Sequence, residues 1–209
     1  MKIICKTTLL SAEPPFVGTR IGLRLTDTLT WGIYAATLAE GSAAVEIDWG
    51  DGTRQTCETV SELTHTYPAP GEYEVRISDD IAELGCAFIN TDFFDVYAPL
   101  ILSAKSNATK LASAAAYCFG NAVNLSEVDL PIKSIELAAF FNCFALIEPR
   151  FPNTTYITTG IAPKRPFKGC ANLQFFHFGE TNEEAITNLT LYKTDPTLGS
   201  GNGVCKFDL

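Results

Sequence analysis

Hydrophobic and polar residues alternate in short runs along the first part of the chain. The clearest runs are IGLRLTD, WGIYAATL, AVEIDWG, CETVSELTHTY and GEYEVRIS, separated by turn-forming residues. In AVEIDWG the apolar side chains of Val45, Ile47 and Trp49 fall on one side of an extended chain, and acidic side chains fall on the other. Short half-buried strands of this kind predict antiparallel sheets packed as a β-sandwich.

The segment DWGDG, residues 48–52, predicts a tight hairpin turn after one of these strands. Gly50 and Gly52 tolerate the positive φ that such a turn requires, and Asp48 and Asp51 can accept hydrogen bonds from turn amides. Calcium binding by the two aspartates is the alternative, because carboxylates suit a hard cation. Two carboxylates nevertheless supply fewer oxygens than the six to eight that calcium takes.

Two segments of the first half resemble the signature segments of the polycystic kidney disease (PKD) domain. They are IDWGDGT at 47–53 and THTYPAPGEYEVRI at 64–77, the second of which reads as strand, turn and strand. The resemblance implies an immunoglobulin-like β-sandwich over residues 1–84, which in that family is usually an extracellular spacer or interaction module. It also implies that the acidic turn is structural. Residues before Ile21 have no counterpart in the family pattern.

The second half contains an internal repeat. Segments starting at Phe119, Phe140 and Phe167 share one order: Phe, one residue, Asn or Gly, Cys or Ala, two residues, Leu, four residues, Leu or Phe, then Pro or Gly. The starts lie 21 and 27 residues apart, and TTGIAPKR accounts for the longer interval. This period predicts a leucine-rich-repeat-like solenoid, in which each short helical turn and strand is stabilised by stacking on its neighbours. A fainter copy begins at Phe88, and NLTLY from Asn188 is a candidate closing strand.

The segment AFFNCFALIEPRFP at 139–152 resembles the bacterial BspA-type leucine-rich repeat, whose units carry a Phe, an Asn-Cys or Gly-Cys pair and a closing Leu-Pro. The resemblance covers roughly residues 86–180 and implies a short irregular solenoid. Pairing of NLTLY with VCKFD would cap the open end of the array, so we predict that residues 85–209 form the repeat array with its C-terminal cap. The overall expectation is thus a mainly β chain with short helices. Both families occur together in surface-associated proteins of host-dwelling microbes. The pairing therefore implies a cell-surface or extracellular location and adhesion to a host protein or glycan.

The exposed side of the repeat strands is the predicted ligand face. Period-two alternation points these residues outward: Glu127, Asp129, Glu148, Arg150, Phe175 and His177. An exposed Phe175 beside His177 would anchor protein or sugar contacts; the alternative is that the next repeat buries it. The predicted function is a non-enzymatic interaction or adhesion module, with a structural spacer or a component of a larger cell-surface or phage-associated assembly as the alternative.

Enzymatic activity is the third hypothesis. The carboxylates available to a hydrolase are Asp79, Asp80 and Glu83, but their spacing singles out no pair and SDDIAE is typical of a solvated turn. A Cys–His nucleophilic pair is disfavoured because His65 and His177 are the only histidines and His177 lies in a repeat strand. We therefore predict no catalytic residue, cofactor or metal site.

Charge and cysteine content exclude several partners. The net charge is −9 and the fifteen Lys and Arg are scattered singly with no visible basic patch, which argues against nucleic acid. No apolar run approaches the roughly 18 residues of a membrane-spanning helix. The start MKIICKTTLLSAEPP predicts a strand and not a secretory signal, because Lys6 interrupts its apolar run. The seven cysteines lack CxxC or metal-type spacing, which favours buried free thiols.

Overall fold

A computed structural model describes residues 15–34, 36–60, 62–86, 98–157, 166–174 and 177–178. Across these residues the chain is mainly β, which confirms the predicted class. The helical content of the described residues is a single 3₁₀ turn, Ala98–Leu100, so tight turns replace the short helices predicted for the repeats. None of the described helices is long and apolar enough to cross a membrane. The predicted N-terminal strand, the copy at Phe88 and the C-terminal cap lie outside the described residues.

The strands are short and follow the alternating runs of the sequence. In chain order they are β1 Gly18–Leu25, β2 Thr30–Tyr34, β3 Thr37–Leu38, β4 Val45–Asp48, β5 Arg54–Cys57, β6 Glu62–Thr66, β7 Gly71–Ser78, β8 Ile81–Leu84, β9 Ile101–Ser106, β10 Ser113–Ala114, β11 Glu127–Asp129, β12 Ser134–Ile135, β13 Arg150–Phe151, β14 Tyr156–Ile157 and β15 His177–Phe178.

These strands form three sheets. The largest has eight strands in the order β15-β13-β11-β9-β1-β7-β4-β5, the second has five in the order β14-β12-β10-β8-β3, and β2 pairs with β6. Antiparallel pairing in the first half gives way to parallel pairing in the second. Both larger sheets run across the predicted boundary between residues 84 and 85, because β1 pairs with β9 and β8 pairs with β10.

The core of the first half lies between the eight-stranded sheet and the β2–β6 pair. Val45, Ile47 and Trp49 are buried on one side of β4 and the turn that follows it, as the alternation predicts. Trp31 of β2 packs edge-on against Trp49, with 6.5 Å between ring centroids. Full burial of a large apolar side chain contributes about 1.5–3 kcal/mol, so this contact helps to hold the two layers together.

In the second half the chain follows the same path repeatedly. After each strand of the eight-stranded sheet comes a strand of the five-stranded sheet and then a tight-turn segment at 116–121, 137–142 or 166–169. The turn segments bond to one another through their backbones: Phe119 N donates to Ala139 O and Phe140 N donates to Pro166 O. These bonds satisfy backbone groups that the turns themselves leave unpaired.

A stack of phenyl rings fills the interior beneath the turn segments. Phe119 and Phe140 stack with centroids 5.2 Å apart, and Phe140 and Phe167 stack at 5.2 Å with an interplanar angle of 5°. Leu125 and Leu146, six residues after the first two rings, are also buried. The Phe that opens each repeat unit and the Leu six residues later are therefore core residues.

The third position of each repeat turns the chain. Asn121, Asn142 and Gly169 have φ angles of 61°, 58° and 84°, a region that favours Gly and tolerates Asn. Asn142 Nδ2 donates to Asn121 Oδ1 at 2.9 Å. Asn142 also faces the following repeat. A Cβ atom at position 169 would lie 2.1 Å from Asn142 Oδ1, so the Asn142 amide occupies the space that a side chain at position 169 would need.

We expect Phe140→Ala to lower the free energy of unfolding by about 3–5 kcal/mol, because it opens a cavity in the middle of the phenyl stack. Phe144→Ala is the matched control, since Phe144 is 44% exposed only four residues away. Urea unfolding followed by circular dichroism measures both. Equal losses of unfolding free energy in the two variants would show that the phenyl stack does not stabilise the fold in particular.

Gly169→Ala should destabilise the fold through both its backbone angle and its clash with the Asn142 amide. In an Asn142→Gly background the clash is removed, and the added cost of Gly169→Ala should fall to the backbone contribution of about 1–2 kcal/mol. A double-mutant cycle in urea measures the coupling between the two positions. Additive effects would show that the Asn142 amide does not restrict the space for a side chain at position 169.

Candidate interaction face

The predicted ligand residues that fall in the described part of the chain lie on one outward face. Glu127 and Asp129 are on β11, Arg150 is on β13 with Glu148 two residues before it, and His177 is on β15. Glu127, Glu148 and Arg150 are exposed, and the other two are half-buried. Phe175 lies outside the described residues.

Ion pairs connect these side chains across neighbouring strands. The pairs are Lys105 with Glu127 at 2.5 Å, Asp129 with Arg150 at 3.7 Å and Glu148 with His177 at 2.5 Å. Exposed pairs of this kind contribute about 0–1 kcal/mol each. They therefore add little to the stability of the fold, and their main effect is to orient the outward side chains.

The outward charges continue beyond the repeat strands. Strand registers align one titratable side chain from each of the eight strands in a single row: Arg54, Asp48, Arg76, Arg20, Lys105, Asp129, Arg150 and His177. We call this the charged row. It crosses the whole eight-stranded sheet at right angles to its strands and includes three of the predicted ligand residues.

Three neighbouring positions of the charged row are basic. Arg76 on β7, Arg20 on β1 and Lys105 on β9 lie directly opposite one another, and we call them the basic triad. The sequence suggests no basic patch because these residues are separated by 56 positions (20 to 76) and 29 positions (76 to 105). Sheet pairing brings these distant cations together.

The acidic turn after β4 is held by its own hydrogen bonds. Asp48 Oδ1 accepts from Gly50 N and Oδ2 from Arg54 Nε, both at 3.0 Å, while Asp51 Oδ1 accepts from Thr53 N at 2.9 Å. Gly50 has φ 85°, and a Cβ there would lie 2.5 Å from the backbone oxygen of Glu74. The aspartates therefore act as the turn acceptors that the sequence predicts. Among the described residues no group of three or more His, Cys, Asp or Glu is arranged to hold a metal.

The second oxygen of Asp51 contacts a histidine for which the sequence predicts no role. His65 Nε2 lies 2.7 Å from Asp51 Oδ2, and only 15% and 7% of the two side chains are exposed. The imidazole stacks on Trp49 at 5.0 Å and meets Tyr67 edge-on at 4.7 Å. A period-two reading of LTHTY would have placed His65 on the same inner side as Leu63 and Tyr67.

The environment of Asp51 favours its ionised form. Burial opposes ionisation, but the hydrogen bonds from His65 and Thr53 outweigh it and lower the pKa of Asp51 below its ordinary value. The Asp51–His65 contact thus ties the β4–β5 turn to β6 of the smaller sheet.

Asp79 and Asp80, two carboxylates considered for a hydrolase, anchor loops. Asp79 accepts from the backbone and hydroxyl of Thr109 and from the backbone of Lys110 at 2.6–2.9 Å. Although burial raises the pKa of Asp79, these bonds lower it overall. A hydrogen bond from Ser78 is the main cause that lowers the pKa of Asp80. A general acid needs a raised pKa, so both residues are poorly suited to that role.

The cysteines of the described residues are buried free thiols, as predicted: Cys57, Cys86, Cys118, Cys143 and Cys170. Cys143 Sγ donates to Phe119 O at 3.1 Å and Cys170 Sγ donates to Phe140 O at 3.0 Å, one repeat before each. Burial raises the pKa of the Cys143 thiol well above its usual range. Because the thiolate is the reactive form, this environment suits packing and not nucleophilic catalysis.

Comparisons with known proteins leave the function to be argued from this chain. No protein-family model matches it, and neither a curated protein nor a solved structure does. The PKD and BspA-type resemblances therefore stay predictions that depend on the quoted motifs.

Asp51 should make stability depend on pH. A folded-state pKa below the unfolded value means that its contribution is present above the unfolded pKa of about 3.9 and is lost as pH falls through the folded pKa. We expect Asp51→Asn to be less stable than the parent chain at pH 7 and to lose less stability on acidification. Asp27→Asn, at an exposed position, is the control. Urea unfolding between pH 7 and pH 3 tests this, and parallel curves for Asp51→Asn and the parent would contradict it.

Proposed function

We propose that this chain is a non-enzymatic interaction module in which a PKD-like β-sandwich is joined to a short irregular leucine-rich-repeat solenoid of the BspA type. For the sandwich, the support is the acidic turn at residues 48–53 together with the antiparallel pairing of β1, β4 and β7. For the solenoid, it is the parallel pairing of β11 with β13 and of β13 with β15, with a stacked Phe in each repeat and a turn-forming Asn or Gly two residues after it.

The proposed ligand is a host protein or glycan at the cell surface or outside the cell. One observation carries this proposal: the outward residues of β9, β11, β13 and β15 lie in register, so they present a continuous surface to a partner. Solenoids bind through such sheet faces because neighbouring repeats add equivalent positions side by side. Arg150 and His177 occupy the middle and far end of that surface.

A structural spacer is the second candidate, and the ion pairs favour it. Lys105, Arg150 and His177 each contact a carboxylate of a neighbouring strand or loop, so the face already satisfies part of its own charge. Cross-strand pairs of opposite charge stabilise a sheet without any ligand. If the chain is a binder, removing these ion pairs from an intact fold weakens ligand binding. If it is a spacer, removing them changes no binding.

The non-enzymatic part of the proposal is supported by the state of the candidate carboxylates. Asp79 and Asp80 are engaged in loop hydrogen bonds with lowered pKa values, and Glu83 accepts a hydrogen bond from Ser113 Oγ at 3.0 Å. These are the contacts of structural carboxylates, whereas a glycosidase needs one carboxyl group that holds its proton near neutral pH.

The test is a binding screen against immobilised host matrix proteins and a glycan array, with Arg150→Ala and His177→Ala variants. We expect a saturable interaction that each substitution weakens about tenfold or more, as is typical when a charged hydrogen bond is removed from an interface. Phe175→Ala is included because the sequence places Phe175 on the same face.

Lys133→Ala is the matched control, since Lys133 is exposed just before β12 of the other sheet. Each variant must keep the parent unfolding midpoint. A folded parent chain that binds nothing, or binding that Lys133→Ala weakens as much as Arg150→Ala does, would overturn the proposed face and favour the spacer.

A further inference from the structure

Four of the five free cysteines in the described part of the chain form two pairs of neighbouring thiols. The side chains of Cys143 and Cys170 lie within hydrogen-bonding distance of each other, and so do those of Cys118 and Cys86. The fifth, Cys57, lies on β5 in the first half. Two thiols side by side are what a disulfide bond requires, so each pair is a candidate for one.

The backbone at Cys143 and Cys170 has the spacing of a disulfide. The two cysteines hold the same position in consecutive repeats, three residues after the opening Phe. The turn segments that carry them are bonded to each other, and Asn142 N donates to Lys168 O at 2.8 Å. Neighbouring hydrogen-bonded backbones lie about 4.8 Å apart, and a disulfide spans Cα–Cα distances of about 4.4–6.8 Å. The bond therefore requires no large movement of the backbone.

One carbonyl oxygen holds the sulfur of Cys170 beside Cys143. Phe140 O accepts from Cys143 N at 3.4 Å and from Cys170 Sγ at 3.0 Å. The Cys143 Sγ donates to Phe119 O at 3.1 Å, and this oxygen also accepts from Ala122 N at 3.0 Å. Each carbonyl group keeps a backbone donor when the thiol hydrogens are removed. Oxidation of the pair consequently leaves neither buried oxygen unpaired.

Burial distinguishes the two pairs. Cys143 and Cys170 are 0% and 5% exposed, and each is followed by an exposed residue. Cys86 and Cys118 are both 0% exposed, and Cys118 is followed by two buried residues. Opening of one turn therefore exposes the first pair to a small reagent, whereas the second pair needs a larger part of the fold to open.

We propose that Cys143 and Cys170 form a disulfide bond between consecutive repeats when the chain meets a small disulfide oxidant such as oxidised glutathione. The Cys170 thiolate attacks the S–S bond of the oxidant, which gives a mixed disulfide and releases one thiolate. The Cys143 thiolate then attacks the Cys170 sulfur and displaces the second. The two cysteines lose two electrons and two protons, and the oxidant is reduced to two thiols that take up those protons through solvent.

The surroundings of the pair set the order of these steps. Burial raises the pKa of the Cys143 thiol, so its thiolate is scarce while the array is closed. Exchange therefore starts at Cys170, the more exposed of the two, and finishes while the turn at 166–169 is open. The bond joins the repeats that carry Arg150 and His177. This inference goes beyond the proposed function and does not depend on any ligand.

Peptide mapping of the full chain tests the proposal. A Lys or Arg lies between every two successive cysteines, so trypsin places each of the seven on its own peptide. Reduced protein is incubated with oxidised glutathione, quenched with acid, alkylated in urea and digested without reductant. Mass spectrometry should show peptide 134–150 linked to 169–193. This product should form at least about tenfold faster than the product linking 77–105 to 111–133.

Unfolding in urea gives a second readout. The disulfide restricts the unfolded chain, so oxidation should raise the unfolding midpoint by roughly 1–2 M urea. Cys143→Ser and Cys170→Ser should show no such rise, and their hydroxyl groups can still donate to the same carbonyl oxygens. Cys57→Ser is the matched control, since it removes a buried cysteine from β5, and it should keep the rise. The peptide map of the parent chain decides the linkage whether or not the serine variants fold.

Three results of the peptide map would overturn the proposal. The first is no linked product from the folded chain while the same oxidant couples cysteines in the urea-unfolded chain. The second is a glutathione adduct on Cys170 that never proceeds to the linked product. The third is linkage of Cys86 to Cys118 as fast as that of Cys143 to Cys170. In the unfolding experiment, an equal rise of the midpoint in Cys143→Ser and the parent would assign the effect to other cysteines and would contradict the proposal as well.

Discussion

The antiparallel pairing of β1 with β9 is the contact on which the outward face depends. β1 also pairs with β7, so it joins strands from both halves of the chain in one sheet. Its register places Arg20 between Arg76 and Lys105. A slip of one residue would turn Ile21 outward and Arg20 into the core, and the burial of Ile21 opposes this. The core on one side of β1 therefore fixes the order of charges on the other.

This arrangement separates the apolar core, which stabilises the fold, from the charged outward face. The stacked phenyl rings and the Trp31–Trp49 contact supply several kcal/mol of apolar burial, while each exposed ion pair contributes about 0–1 kcal/mol. Substitutions on the outward face consequently cost little folding free energy. The face can carry unfavourable neighbours such as Arg20 and Lys105 because the fold does not rely on them.

The sequence predicts what is local and repeated. Alternation identifies β4 with its buried Val45 and Ile47, the glycines mark the turn at Gly50, and the repeat frame identifies the Phe140 stack. The sequence pattern does not indicate which segments far apart in the chain pair with each other.

The unpredicted features follow from that limit. Arg20 and Lys105 are 85 residues apart, and nothing in the periodicity of either strand indicates that they are neighbours. Asp51 and His65 are closer, yet their contact depends on how the β4–β5 turn lies over β6. The short helices were predicted by analogy with the repeat period, whereas positive φ at Asn121 and Asn142 produces tight turns.

The Asn142 amide gives the repeat array a direction. It donates backwards to Asn121 and fills the space in front of Gly169, so the three turns form an ordered series and are not interchangeable copies. Duplicating the unit that contains Asn142 would place one asparagine after another, which is the arrangement that Asn121 and Asn142 already form with a hydrogen bond between their amides. Asparagine can therefore recur at the turn position, while Gly169 marks the turn at which a side chain has no room beside the Asn142 amide.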